Sequence, residues 1–181
     1  MGKTIMVNVE KCLACRSCEL ACAVAHSISG IIEEAITENP KPQKRVTVEG
    51  AAEYAVPMQC RHCEDAPCIT VCPTSAIHRE QLGGPVLIEQ DRCIGCKFCI
   101  ITCPFGVIDI SNDSRIIIKC DLCFERIKGD EEPACIKACP TKALEFVDDK
   151  HLIAVRRQRA AKDVASSTQQ DRKIKKRKEN I

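Results

Sequence analysis

Tryptophan is absent from this 181-residue chain, tyrosine occurs once and phenylalanine four times, so aromatic residues make up only 3%. Large aromatic rings bury the most area per residue, and 29% of the residues are charged. A core made of ordinary side chains would therefore be thin for a chain this long, which has the length of one compact domain or two small ones. No run approaches the roughly 20 apolar residues that span a bilayer, so direct membrane insertion is not expected. Met1 to Lys11 has no charged segment leading into an apolar stretch, so nothing there reads as a secretory leader. A reducing, cytoplasmic setting is expected, unless a partner carries an export signal for both. Gly83-Gly84 stands alone and GxGxxG is missing, which removes the usual glycine-rich phosphate loop. With no candidate nucleophile or substrate pocket either, the chain is not expected to be an enzyme in its own right.

What the chain does hold is cysteine, sixteen of them. Cys93, Cys96, Cys99 and Cys103, followed by Pro104, read CxxCxxCxxxCP. Three thiolates on one short loop can hold three irons of a cubane, and the fourth, a helical turn onward, reaches a different cluster. Structural zinc prefers two CxxC pairs separated by a longer spacer. The pattern occurs four times. Cys12, Cys15, Cys18 and Cys22 form the first copy, with Ala23 in place of proline. Cys60, Cys63, Cys68 and Cys72, then Pro73, form the second. Cys120, Cys123, Cys135 and Cys139, then Pro140, form the fourth, with an insertion between its second and third cysteines. No cysteine is left over. A disulfide framework would need an oxidising compartment, which the chain does not advertise. Cluster ligation would supply the missing core as folding energy, and the apo chain should be largely unfolded.

Around these loops the pattern of residues predicts short strands. Thr4 to Val9 is a β-branched run entering Cys12, and Ala23 to Ala35 is partly helical before the Asn39 to Lys44 loop. Arg45 to Glu49 and Tyr54 to Met58 alternate as strands about a turn at Gly50 to Glu53. Ala76 to His78 and Val86 to Ile88 flank the Gly83-Gly84 turn. Val107 to Ile110 and Arg115 to Ile118 flank a turn at Ser111-Asn112-Asp113, and Lys142 to Val147 is the last strand. A helix is expected over Leu152 to Val164, with Ser166-Ser167-Thr168 as a weak point.

Quartets two and three, with the hairpin and the segment from Asp91 to Cys96 between them, resemble bacterial two-cluster ferredoxins. The whole set over Thr4 to Val147 is similar to the four-cluster electron-transfer subunits of the dimethyl sulfoxide reductase B-subunit type. Within that family the segment from Cys22 to Ser27 and the small size favour the CO dehydrogenase-associated branch, by analogy alone. The resemblance implies an α+β fold of nested two-cluster ferredoxin-like units with short β-hairpins and cluster-binding loops, followed by a basic C-terminal extension. Residues 1–150 would form the four-cluster region, with an inner unit at about 54–118 and an outer unit from 1–30 plus 119–150; 151–181 would be the extension. It also implies four [4Fe–4S] clusters with exchanged fourth ligands. These are Cys12, Cys15, Cys18 and Cys139 for cluster 1; Cys60, Cys63, Cys68 and Cys103 for cluster 2; Cys93, Cys96, Cys99 and Cys72 for cluster 3; and Cys120, Cys123, Cys135 and Cys22 for cluster 4. The leading strand of the first quartet and the trailing strand of the fourth complete one another, in keeping with that nesting.

Other residues carry smaller expectations. Gly95 permits close backbone approach in the third loop. Arg61 and His62 are either donors and positive charge beside the second loop or solvent-facing side chains. His26, His78 and His151 stand away from any second ligand and read as surface residues. Glu64-Asp65 and Glu131-Glu132 read as solvated loop charges. From Arg156 onward ten Lys or Arg face three acids, a balance of +7, leaving 17 basic and 22 acidic groups, or −5, in the rest. The tail is either a solvated extension or an arm for an acidic partner; with no aromatic residue interleaved, nucleic acid is not expected. The function expected is electron relay within a hetero-oligomer, between a catalytic oxidoreductase subunit and an electron-acceptor subunit or flavoprotein. A freely diffusing polyferredoxin is the alternative, and a zinc-binding nucleic-acid protein the remote one.

Overall fold

The computed structural model describes the backbone of residues 2–112 and 116–179, and side chains in that range as far as Ser167. In chain order the elements are β1 (Lys3–Val7), α1 (Ser17–Ala25), α2 (Ile32–Ala35), β2 (Val46–Ala51), β3 (Tyr54–Gln59), α3 (Pro67–Thr70), β4 (Ile77–Arg79) and β5 (Val86–Ile88). They continue as α4 (Phe98–Thr102), β6 (Ile108–Ile110), β7 (Ile117–Lys119), α5 (Phe124–Lys128), α6 (Ala134–Lys137), β8 (Leu144–Asp148) and α7 (Asp149–Glu179). The result is a mixed α/β chain built on short hairpins.

Among the described residues the strands pair only in twos, all antiparallel: β1 with β8, β2 with β3, β4 with β5 and β6 with β7. A lone two-stranded ribbon is marginal in water, so each ribbon depends on what its inner face covers. Two cores provide that cover. Ile5, Val46, Val48, Leu122, Ile136 and Leu144 surround Cys18, Cys22 and Cys135 in the first. Ile77, Val86, Ile108 and Ile117 surround Cys68 and Cys99 in the second. Cysteine thus fills interior positions that aromatics occupy elsewhere.

Most expected strands form, with shifted ends. The first stops at Val7, since Asn8 caps a 3-10 turn over Val9–Lys11 by accepting from the Glu10 N–H at 3.2 Å. The last runs over Leu144–Asp148, because the residues before it serve the fourth cysteine loop. Gly83 (φ +74°) makes the predicted turn, where the Gly84 N–H donates to the Gln81 carbonyl at 2.8 Å. Asp113 and Arg115, expected in the next turn and strand, lie outside the described residues. Residues 23–35 are partly helical, as expected: α1 starts earlier, at Ser17, and ends at Ala25, and the helix resumes only for Ile32–Ala35.

β1 and β8 bring the two ends of the cysteine-bearing region together, with Lys3 opposite Asp148 and Val7 opposite Leu144. α7 follows β8 directly, and the His151 N–H donates to Asp148 Oδ1 at 2.8 Å. Leu152 and Val155 are half-buried, whereas the remaining described side chains of the helix are exposed. The predicted break does not occur. Ser166 and Ser167 donate back to the carbonyls of Asp163 and Val164 at 2.9 Å, so their hydroxyls follow the helix instead of competing with it. No helix among the described residues is long and apolar enough to cross a membrane.

Candidate metal centres

The four cysteine loops share one backbone design. The residue before the second cysteine is left-handed in each: Ala14 (φ 57°), His62 (48°), Gly95 (68°) and Leu122 (63°). Only Gly95 adopts this without penalty; a non-glycine residue there costs about 1 kcal/mol or more. Such a turn points successive amides inward. The His62 N–H donates to Cys60 Sγ and the Leu122 N–H to Cys120 Sγ, both at 3.4 Å. The third cysteine is always the second residue of a short helix: Cys18 in α1, Cys68 in α3, Cys99 in α4 and Cys135 in α6. Arg16 and Lys97, left-handed again, set the first and third of these helices immediately after the loop. Pro67 and Pro133 start the other two, as a residue with fixed φ and no N–H can at a helix N-terminus.

The fourth cysteine follows four residues later, and three of the four again share a turn. Ser75 (φ 52°), Gly106 (61°) and Lys142 (53°) are left-handed at the third position beyond Cys72, Cys103 and Cys139. Burial raises the Cys72 and Cys139 thiols, but amides and a threonine hydroxyl more than offset it, and both end below the ordinary value. Thr74 and Thr141 supply those hydroxyls, each 3.8 Å from its sulfur, and the Ala143 N–H donates to Cys139 Sγ at 3.2 Å. Cys22 differs. Lacking the proline, it stays within α1, where it accepts from the Arg45 N–H at 3.2 Å and lies 3.7 Å from His26 Nδ1.

Distant quartets meet. Cys72 joins Cys93, Cys96 and Cys99 around one small cavity. Cys139 joins Cys12, Cys15 and Cys18 around another. Cys60 and Cys103 both act electrostatically on Cys68, and Cys120, Cys22, Cys123 and, least, Cys18 on Cys135. No disulfide joins any of the sixteen. Desolvation pushes Cys18, Cys99 and Cys123 up to about 11, and Cys120 and Cys135 further. Buried thiols of this kind ionise when a cation shares the pocket.

The 4Fe-4S dicluster domain family matches residues 51–149, and the 4Fe-4S binding domain family residues 9–25. The chain belongs to the 4Fe-4S ferredoxin-type electron-transfer proteins. A relative described as "Iron-sulfur protein" from Rhodospirillum rubrum is 44% identical over 176 residues, covering 90% of this chain and 91% of that one. The electron transport protein HydN of Escherichia coli (strain K12) is 37% identical over 89% of this chain and 98% of its own. The thiosulfate reductase electron transfer subunit PhsB of Salmonella typhi is 34% identical over 78% of this chain and 74% of its own.

The donor set of this ferredoxin-type protein fits iron–sulfur clusters: soft thiolates, inward amides for the sulfurs, and low-dielectric pockets. Buried polar atoms with no protein partner point the same way, namely His62 Nε2 and both amide atoms of Gln59, the residue preceding Cys60.

Several polar residues were misjudged or missed from sequence. His62 neither faces solvent nor adds charge. Its Nδ1 accepts from the Val86 N–H at 3.0 Å, and burial foremost, with Lys119 next, holds it down at about 3. His26 is not a surface residue either. It lies 2.7 Å from the Cys22 carbonyl through Nδ1 and 3.1 Å from Asp121 Oδ1 through Nε2. Burial opposes its charge, but Asp121 and Cys22 raise it to about 9. Arg45 donates to the other Asp121 oxygen at 2.6 Å. His78 is partly buried, 3.8 Å from Glu89, while His151 is exposed as expected. Glu19, unremarked in the sequence, is buried and accepts from Lys44 and from the Val48 N–H, both at 2.6 Å, tying α1 to β2. The recurrence of Cys-Pro-Thr at residues 72–74 and 139–141 was the available signal for the two threonines. The spacing of Cys22 and His26, one helical turn, was the signal for the histidine.

Proposed function

We propose that this protein carries four [4Fe–4S] clusters in two nested pairs and relays single electrons between a catalytic oxidoreductase subunit and an acceptor. The ligand sets are Cys12, Cys15, Cys18 with Cys139; Cys60, Cys63, Cys68 with Cys103; Cys93, Cys96, Cys99 with Cys72; and Cys120, Cys123, Cys135 with Cys22. One observation carries this reading: two cavities each collect three cysteines of one quartet and the last cysteine of another. The two separate cores and the β1–β8 pairing support an inner unit enclosed in sequence by an outer one within residues 1–150, with 151–181 as a basic extension.

A bound cluster would supply reversible one-electron chemistry; the chain sets order and access. Cys15 and Cys96 are exposed, whereas Cys22, Cys120, Cys123 and Cys135 are all buried. That contrast supports an order in which the sites of Cys15 and Cys96 are the terminals and the other two lie between them. Exposed apolar side chains accompany both terminals, Leu13 at one and Ile94 and Phe98 at the other, as surfaces that meet partners do. Substrate chemistry is left to the partner. In its finer form the proposal places the protein with the dimethyl sulfoxide reductase B-subunit type, in the CO dehydrogenase-associated branch and in a reducing cytoplasm. That PhsB is described as an electron transfer subunit supports an assembly over a free polyferredoxin.

The test is anaerobic purification with metal and sulfide analysis and identification of copurifying proteins. About sixteen irons and sixteen acid-labile sulfides per chain are expected from four complete cubanes. Zinc near four per chain without sulfide would overturn the reading.

A further inference from the structure

Lys119 ends β7 and directly precedes Cys120, yet it is only 2% exposed. Its ammonium donates to the Cys120 carbonyl at 2.7 Å and to the Val86 carbonyl across the second core. No carboxylate pairs with it among the described residues. Burying an unneutralised charge is costly, and buried charges are therefore paired or close to metal centres. Two neutral carbonyls are a poor substitute for an anion.

Its surroundings say where the anion lies. Lys119 adjoins Cys120 and donates to its carbonyl, while Val86, whose carbonyl is its other partner, shares the second core with Cys68. Cys68 belongs to the second quartet and Cys120 to the fourth. Val86 is clamped between the two loops, its carbonyl accepting from Lys119 and its N–H donating to His62 of the second loop. Gln59 occupies the matching position before Cys60, is 1% exposed, and has an amide with no protein partner. Two buried polar side chains thus stand at equivalent places in two repeats, each directly before the first cysteine of its quartet.

We infer that Lys119 is an internal counter-charge shared by the two middle cluster sites, those of Cys60, Cys63, Cys68, Cys103 and of Cys22, Cys120, Cys123, Cys135. The inference rests on the four-cluster reading above. A fixed positive charge stabilises a site more after it gains an electron than before, so it raises the potential of both middle sites relative to the terminals. An electron arriving at either terminal then meets an easier place to rest inside, and back-transfer is reduced. Lys119 acts as a positioning residue for charge and binds neither iron nor sulfide.

The experiment is a redox titration followed by electron paramagnetic resonance on the full-length holoprotein and its Lys119→Met, Lys119→Gln and Lys119→Arg variants, with iron counted in each. In the Met and Gln proteins the equilibrium constant for one-electron reduction should fall at least tenfold at two of the four sites, ~59 mV for a one-electron couple. The other two sites should stay near wild type, and Lys119→Arg should retain the wild-type pattern. Because the charge is buried, the difference should persist from 0.1 to 1 M salt, where a surface charge is screened within about 3 Å. Full iron with unchanged potentials in the Met and Gln proteins would overturn the inference, as would equal shifts at all four sites. If only Lys119→Arg assembles its clusters, the charge is required to build the junction, which supports it. If Lys119→Arg also fails to load, the role is one of shape, and the inference falls. A wild-type protein without sixteen irons would instead reject the four-cluster reading on which this rests.

Discussion

In the proposed ligand sets each fourth cysteine serves a site formed mainly by another part of the chain, so a single serine separates them. Cys103→Ser should disturb the spectrum of the site of Cys60, Cys63 and Cys68 and leave that of Cys93, Cys96 and Cys99 close to wild type, although Cys103 is nearer to the latter in sequence. Loss of the latter with the former intact, seen by paramagnetic resonance, would reject the exchange. The cysteines themselves were legible because ligation demands one residue type at fixed spacing. Their polar neighbours were not, since His26 and Asp121 are 95 residues apart and nothing local signals that they meet. Nothing in the sequence sets Lys119 apart from other lysines. Only the folded backbone shows that its ammonium crosses to Val86. His62 was ambiguous because the residue is amphipathic, and burial decided its state.

At the scale of elements, hairpins were readable and short helices were not. The Gly83-Gly84 turn and the β-branched runs around it name a hairpin outright. Helices of four or five residues such as α3, α4 and α6 lie below the length at which periodicity is informative or isolated helices persist. They are held by the loops that begin them. α7 is the opposite case, a 31-residue helix whose described side chains are mostly exposed. Its Leu152 and Val155 are half-buried and α7 meets β1 and β8 at its start, so deletion should begin beyond them. A protein ending at Arg157 should keep its iron content and its electron transfer from a small-molecule donor. If the basic helix is a docking arm, the same protein should bind its copurifying partner more weakly at low salt, and the difference should shrink near 1 M salt. Unchanged partner binding in a pull-down would make the helix a solvated extension.

For the molecule as a whole, the scarcity of aromatics noted at the outset becomes a statement about what holds it together. Each core has cysteines at its centre, and pairs of short strands cannot stand alone. Removing iron with a strong chelator under reducing conditions should therefore abolish the far-ultraviolet circular dichroism of the strands and expose the thiols together, not one site at a time. A chelated protein that retained its spectrum would show that side-chain packing suffices. The pairing of β1 with β8 has a further consequence, for synthesis in the cell. The Cys12 to Cys22 segment leaves the ribosome early, but the strand that closes over it, and Cys139 with it, is made more than a hundred residues later. At 5–20 residues per second that delay is roughly ten seconds. During it a nascent chain presents reduced, solvent-exposed thiols with nowhere to go. The middle of the chain, whose hairpins are local, can pair its strands while the ends are still apart, and the first four cysteines stay uncovered until translation catches up.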